Sequence, residues 1–154
     1  MRVGLGFDSH EFREGIPLRI GGLTIPHTHG LAGHSDGDVL LHAITDALLG
    51  AVAAGDIGVF FPPSDPKWKG ANSVIFLEEA MRHIESAGYR VGNVDCTLVM
   101  AAPKIGPHSH KIQANVAKLL KVETSAVGIK AKTPEGLNLE GTAVAHVVVL
   151  LEKR

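Results

Sequence analysis

A chain of 154 residues, 45% hydrophobic and 20% charged, has the length and composition of one globular domain with a real core. With 15 basic and 16 acidic residues the net charge is -1, which excludes a basic surface for nucleic acid or anionic membrane. The single cysteine, Cys96, excludes an intrachain disulfide and suits a reducing cytoplasm. Asp8 and His10 interrupt any apolar run near the start, so no signal peptide is expected. The late apolar run Val144 to Leu151 contains His146 and is far shorter than the roughly 20 residues of a membrane span. Nine histidines are the compositional oddity, several of them beside Gly, Ser or Asp.

Residues 2 to 8 read as a strand in which Gly4 and Gly6 permit a close backbone approach. If extension continues, Asp8 and His10 point to the same face. Leu18-Arg19-Ile20 and Leu23-Thr24-Ile25 flank Gly21-Gly22 as a small hairpin. An amphipathic helix capped by Ser35 or Asp36 is predicted to run to about Ala54, with Gly55 as its stop. On it His42 and Asp46, four apart, share a face. Residues 56 to 71, with Pro62, Pro63, Pro66 and Trp68, form a loop long enough to suggest function.

Asn72 or Ser73 opens a second helix that ends at Ala87. A strand follows over Val91 to Ala102, then a third helix from Pro107 to about Lys121. Val127 to Thr133 and Ala143 to Leu151 complete the strands. This order predicts an α+β fold: a two-layer sandwich with a mixed β-sheet and helices packed on one face, as a single domain over 1–154.

Four constellations carry possible chemistry. Asp8, His10 and His42 are two imidazoles and a carboxylate, a common catalytic zinc set with a fourth position open. They fit equally a capping Asp, a strand-end His and a core His. Asp46 either orients the His42 ring or is a solvated helix acid. The turn His34-Ser35-Asp36-Gly37-Asp38 offers backbone amides for phosphate, but Asp36 and Asp38 repel an anion unless a metal intervenes, which favours caps and turn formers. Lys130-Ala131-Lys132-Thr133-Pro134-Glu135 suits phosphates and a hard cation, or an ordinary solvated turn. Ala101 to Pro107, small and backbone-exposing around Lys104, suits a nucleotide or a plain strand-to-helix turn. His108 and His110 are expected to face solvent, His27 and His29 to lie in a loop, and His83, His146 and Cys96 to be structural. No Ser-His-Asp ordering, paired-Cys motif or Gly-rich nucleotide loop is present.

Taken in order, several segments together resemble the 2-C-methyl-D-erythritol 2,4-cyclodiphosphate synthases of the non-mevalonate isoprenoid pathway. They are Gly6-Phe7-Asp8-Ser9-His10, His34-Ser35-Asp36-Gly37-Asp38 through His42, and Thr45-Asp46-Ala47-Leu48-Leu49-Gly50-Ala51. They continue with Gly55-Asp56-Ile57-Gly58, Phe61-Pro62, Asp65-Pro66, Ala102-Pro103-Lys104, and Lys130-Ala131 before Thr133 and Glu135. The resemblance implies a homotrimer with sheets around a central cavity and active sites between subunits. It implies zinc on Asp8, His10 and His42, and magnesium or manganese held with the help of Glu135. It makes His34 and Thr133 the transition-state stabilisers and Ser35 a phosphate contact. Asp56, Ile57, Gly58, Phe61 and Asp65 take the methylerythritol unit. Met100, Ala101, Pro103, Lys104, Ile105, Gly106, Ala131 and Lys132 line the nucleotide pocket from a neighbouring subunit.

The implied reaction is attack of the substrate's 2-phosphate on its β-phosphate with loss of cytidine monophosphate. It needs positioning and charge neutralisation but no side-chain nucleophile, in keeping with the motifs. Closure of the Pro-rich loop is expected to exclude competing water. Three positions depart from the family pattern: Lys132 stands for a threonine, Pro63 for an acid, and Thr142 for an arginine facing the trimer cavity. A water-attacking phosphoesterase and a non-catalytic nucleotide-sensing module are the rival readings.

Overall fold

The computed structural model describes residues 1–154. Its strands are β1 (Arg2–Glu14), β2 (Leu18–Ile20), β3 (Leu23–Ile25), β4 (His29–Leu31), β5 (Tyr89–Val99), β6 (Val127–Lys132) and β7 (Thr142–Lys153). Its helices are α1 (Val39–Ala51), the single turn α2 (Ile57–Phe60), α3 (Val74–Ser86) and α4 (Ser109–Leu120). Five strands form one sheet in the order β4-β1-β7-β5-β6, with only the β5–β6 pair parallel. Parallel pairing needs a crossover, and α4 supplies it. β2 and β3 form the expected hairpin apart from that sheet.

Side-chain alternation puts all the helices on one face, as predicted. On β7, Ala143, Ala145, Val147, Val149 and Leu151 are buried, and on β5 Val94, Cys96 and Leu98 face the same core. On β1 the inward positions are Gly4 and Gly6, whereas Val3, Leu5 and Phe7 point away from the helices and stay exposed. A Cβ on Gly4 would lie 1.8 Å from the Ala47 carbonyl oxygen, and one on Gly6 1.8 Å from that of Ala43. α1 therefore rests on β1 backbone to backbone.

The structure corrects the boundaries of several elements. β1 continues to Glu14, so Asp8 and His10 do lie in one strand, and its extension provides a partner for β4 through Phe12↔Leu31. β4 has only three residues, too few for a periodic signal. α1 starts after Asp38, not at Ser35 or Asp36, because the Asp36 carboxylate is engaged by Ser73 and Gly37 turns the chain with φ +73. It ends at Ala51, three residues short of the prediction, where Ala53 adopts φ 57. It is also not amphipathic: every residue but Asp46 and Gly50 is buried, between the sheet, α3 and the hairpin.

β5 stops at Val99, so Met100 to Ala102 belong to the following turn, and α4 starts at Ser109 after a 3-10 turn over Gly106–His108. His146 is exposed on the open sheet face, its ring edge-on to Phe7 at 5.1 Å, where a structural role was expected. His29 lies in β4, and His108 is half-buried.

Candidate active site

The close approach of β1 and α1 brings Asp8 and His10 opposite His42. His10 Nε2 lies 2.8 Å from Asp8 Oδ2, His42 Nδ1 lies 3.1 Å from the same oxygen, and the two ring nitrogens are 3.1 Å apart. These atoms form a group that could hold a metal ion. Ligands on a tetrahedral zinc, each roughly 2.0–2.1 Å from the metal, sit about 3.3 Å from one another. The triangle is therefore close to what such an ion needs, and the donors are of the right kind. The remaining ring nitrogens have partners of their own. His10 Nδ1 lies 2.6 Å from the Ala32 carbonyl, and His42 Nε2 lies 2.8 Å from Ser73 Oγ and 3.0 Å from Ser35 Oγ.

Charge at the cluster is strongly coupled. Burial pushes the Asp8 carboxyl up, but hydrogen bonds and positive charge from His10 and His42 outweigh it and hold it down at about 2. Burial presses His10 down, but the hydrogen bond and charge of Asp8, helped by Ala32 and Asp38, leave it above the ordinary imidazole value. Asp38 behaves differently. It is fully buried and its carboxyl is raised by burial, although Gly22, Leu41 and Gly21 N–H groups oppose the shift. Its oxygens accept from Gly21 and Gly22 at 2.9 and 2.7 Å and cap α1 through Leu41 at 3.0 Å, so it locks the hairpin to the helix start.

A cleft of about 330 Å³ opens beside the cluster, lined by His10, His34, Ser35, His42, Ile57, Gly58, Phe61, Pro63, Trp68 and Phe76. Its far wall is the Pro-rich segment, which is not featureless: it forms α2, capped by Asp56, and a 3-10 turn capped by Asp65. Asp46 does not orient His42. Its Oδ1 accepts from Ile57 N–H at 2.8 Å, tying α1 to α2, and burial raises its carboxyl. His34 Nε2 lies 3.2 Å from the Asp65 carbonyl. Phe76, Trp68 and Ser73 were not anticipated as site residues. Phe61 packs on Phe76 at 4.5 Å and on Trp68 at 4.8 Å, and Phe76 in turn lies 5.9 Å from the His42 ring. Trp68 as the sole tryptophan in a Pro-rich segment was the only signal available.

A second cleft of about 280 Å³ gathers Met100, Ala101, Pro103, Lys104, Ile105, Gly106, Ala131, Lys132 and Thr133 with Pro107. The parallel pairing of β5 with β6 creates it, since both strands end there side by side. It shares no lining residue with the first cleft. Within one chain, Thr133 and Glu135, which hydrogen-bond to each other, therefore do not join His34 and the Asp8-His10-His42 group.

An α+β scaffold with an Asp-His-His group and a separate cleft where β5 and β6 end is matched closely among known proteins. Residues 1–152 match the YgbB family, and the chain belongs to it. It is 88% identical to the 2-C-methyl-D-erythritol 2,4-cyclodiphosphate synthase of Koribacter versatilis (strain Ellin345), over 100% of this chain and 99% of that one. It is 51% identical to the chloroplastic enzyme of that name from Arabidopsis thaliana, over 99% of this chain and 68% of the relative. A solved structure of a 2C-methyl-D-erythritol-2,4-cyclodiphosphate synthase in its CDP-bound form superposes with a TM-score of 0.93 at 43% identity, covering 98% of this chain and 100% of that one.

Proposed function

We propose that the protein is a cyclodiphosphate synthase of non-mevalonate isoprenoid biosynthesis, working in the cytoplasm as a homotrimer. It converts 4-diphosphocytidyl-2-C-methyl-D-erythritol 2-phosphate to 2-C-methyl-D-erythritol 2,4-cyclodiphosphate and CMP. The observation that carries this reading is the convergence of Asp8, His10 and His42 at 2.8–3.1 Å beside the His34–Ser35 turn, in a chain of this family.

In the reaction an oxygen of the 2-phosphate bonds to the β-phosphorus, the bond from that phosphorus to the bridging oxygen breaks, and the oxygen leaves with CMP. Zinc on Asp8, His10 and His42, and magnesium or manganese held with the help of Glu135, would supply the positive charge that orients and polarises the diphosphate. The chain's own groups do the rest. Ser35 offers a hydroxyl and His34 a ring N–H to phosphate oxygens at the edge of the metal cluster. Asp56, Ile57 and Gly58, fixed by Asp46, receive the methylerythritol hydroxyls. Phe61, Trp68 and Phe76 make an apolar wall that keeps water from competing as nucleophile.

The nucleotide cleft around Lys104 and Lys132 is taken to serve the metal cleft of a neighbouring copy. That arrangement would bring Thr133 and Glu135 to His34. It accounts for two clefts with no shared residue on one chain.

Phosphorus NMR of metal-loaded protein with that substrate tests the reading. The expected spectrum shows a cyclic diphosphate and CMP in equal amounts. A linear product would mean water attack and a phosphoesterase, and cytidine-nucleotide binding without turnover would mean a sensing module.

A further inference from the structure

We propose that Ser73 and Asp36 are positioning residues that act through His42: a carboxylate–hydroxyl–imidazole relay that holds the proton on His42 Nε2 and turns Nδ1 toward the metal. Ser73 occupies the N-cap position of α3, where a serine ordinarily accepts a hydrogen bond from its own helix. It makes no such bond. Asn72 Oδ1 takes the Val74 N–H at 3.0 Å instead. The Ser73 side chain is fully buried and directed between His42 and Asp36.

Donor and acceptor counting then fixes the proton. A carboxylate accepts only, so the single hydroxyl proton of Ser73 goes to Asp36 Oδ1, while Asp36 Oδ2 takes the Ser73 backbone N–H at 3.1 Å. The lone pairs of Ser73 Oγ, 2.8 Å from His42 Nε2, can only accept, so Nε2 must carry a proton. In the neutral ring that a metal requires, the nitrogen left without a proton is Nδ1, the one 3.1 Å from both Asp8 Oδ2 and His10 Nε2. Asp36 is itself held in place, its N–H on the Ala71 carbonyl at 3.0 Å and its Oδ1 taking the Asp38 N–H at 3.2 Å.

His10 reaches the same state by another route, since the Ala32 carbonyl 2.6 Å from its Nδ1 requires a proton there and leaves Nε2 for the cluster. Each imidazole ligand thus has an outer acceptor that selects the tautomer, which sharpens ring orientation and raises ligand basicity. The relay has a second effect. With Ser73 receiving the His42 N–H, the Ser35 hydroxyl, 3.0 Å from the same nitrogen, keeps its proton for a phosphate oxygen.

The inference rests on the metal reading of the Asp8-His10-His42 group, and the test separates the two. Histidine-15N NMR of the metal-free protein should show a slowly exchanging proton on His42 Nε2, and the zinc-loaded protein should retain it. Ser73→Ala should weaken zinc about 10- to 100-fold in competition with a chromophoric chelator and speed exchange at Nε2. Ser73→Thr, which restores a hydroxyl, should recover part of both. Zinc affinity and Nε2 exchange unchanged in Ser73→Ala, or a zinc-loaded His42 protonated on Nδ1, would overturn the relay. Should Ser73→Ala not fold, Asp36→Asn carries the comparison, with the same loss expected and wild-type affinity as the contrary result. A wild-type protein that takes up no zinc would end the metal reading alone, and the metal-free spectrum would still decide the relay.

Discussion

Asp38 is fully buried and Asp8 partly so, yet their carboxyls move in opposite directions. At Asp38 burial dominates, with the Asp36 charge adding to it and only backbone N–H groups opposing it. At Asp8 burial also pushes the carboxyl up, but two imidazoles overcome it with hydrogen bonds and charge and hold it at about 2. The folded pKa of Asp8 is thus below its ordinary value of 3.8, so the carboxylate favours the metal-free fold above pH 3.8. That contribution, about 2 kcal/mol, is lost as pH falls through about 2. Urea midpoints of metal-free wild type and Asp8→Asn should accordingly converge between pH 4 and 2, and a gap that stays constant would refute the coupling. Cys96, packed in the core with its thiol pushed up to about 12 by burial, takes no part, as its lack of cationic neighbours in sequence suggested.

At the scale of elements, the site depends on how closely α1 can approach β1. Gly4 and Gly6 are legible in the sequence as places of close approach, but what approaches is decided by packing: the carbonyls of Ala47 and Ala43, one turn of helix apart. Ala43 adjoins His42, and Asp8 follows Gly6 by two residues on the same face of the strand. Gly6→Ala must push helix and strand apart, because its Cβ would sit 1.8 Å from a backbone oxygen that cannot rotate away. The expected loss is about 1–3 kcal/mol of stability together with weaker metal binding. Thermal melting and chelator competition on the one variant measure both, and a variant that melted and bound metal like wild type would show that the contact gives way. Asp46 extends the same logic to the substrate wall, since its bond to Ile57 N–H makes α1 the support of α2 as well as of His42.

For the whole molecule the telling feature is the side of the sheet that no helix covers. Val3, Leu5, Phe7 and Val148 are 65%, 70%, 55% and 45% exposed there, a continuous apolar band on two adjacent strands. A homotrimer with its sheets turned inward would cover that band and would bring the nucleotide cleft of one copy to the metal cleft of the next. Leu5→Asp should therefore yield monomers in light scattering with secondary structure intact, and turnover should fall with the trimer. Trimers that persist and stay active would place the subunit contact elsewhere.

Read from its amino acids, the chain already shows its class. Strand alternation, the Gly21-Gly22 hairpin and the two glycines of β1 follow from local spacing and residue chemistry, whereas Asp8, His10 and His42 stand out as one set only through the ordered resemblance to the synthase family. Local spacing was not enough to choose among equivalent partners. Ser35, Asp36 and Asp38 are all good helix caps, and only tertiary structure assigns Asp38 to α1 and Asp36 to Ser73, 37 residues away. The same holds for the Ala32 carbonyl behind His10, for Phe76 and Trp68 in the cleft wall, and for the short strand β4. Which buried donor meets which acceptor is set by how the elements pack, because an unpaired polar group inside costs more than most single contacts contribute.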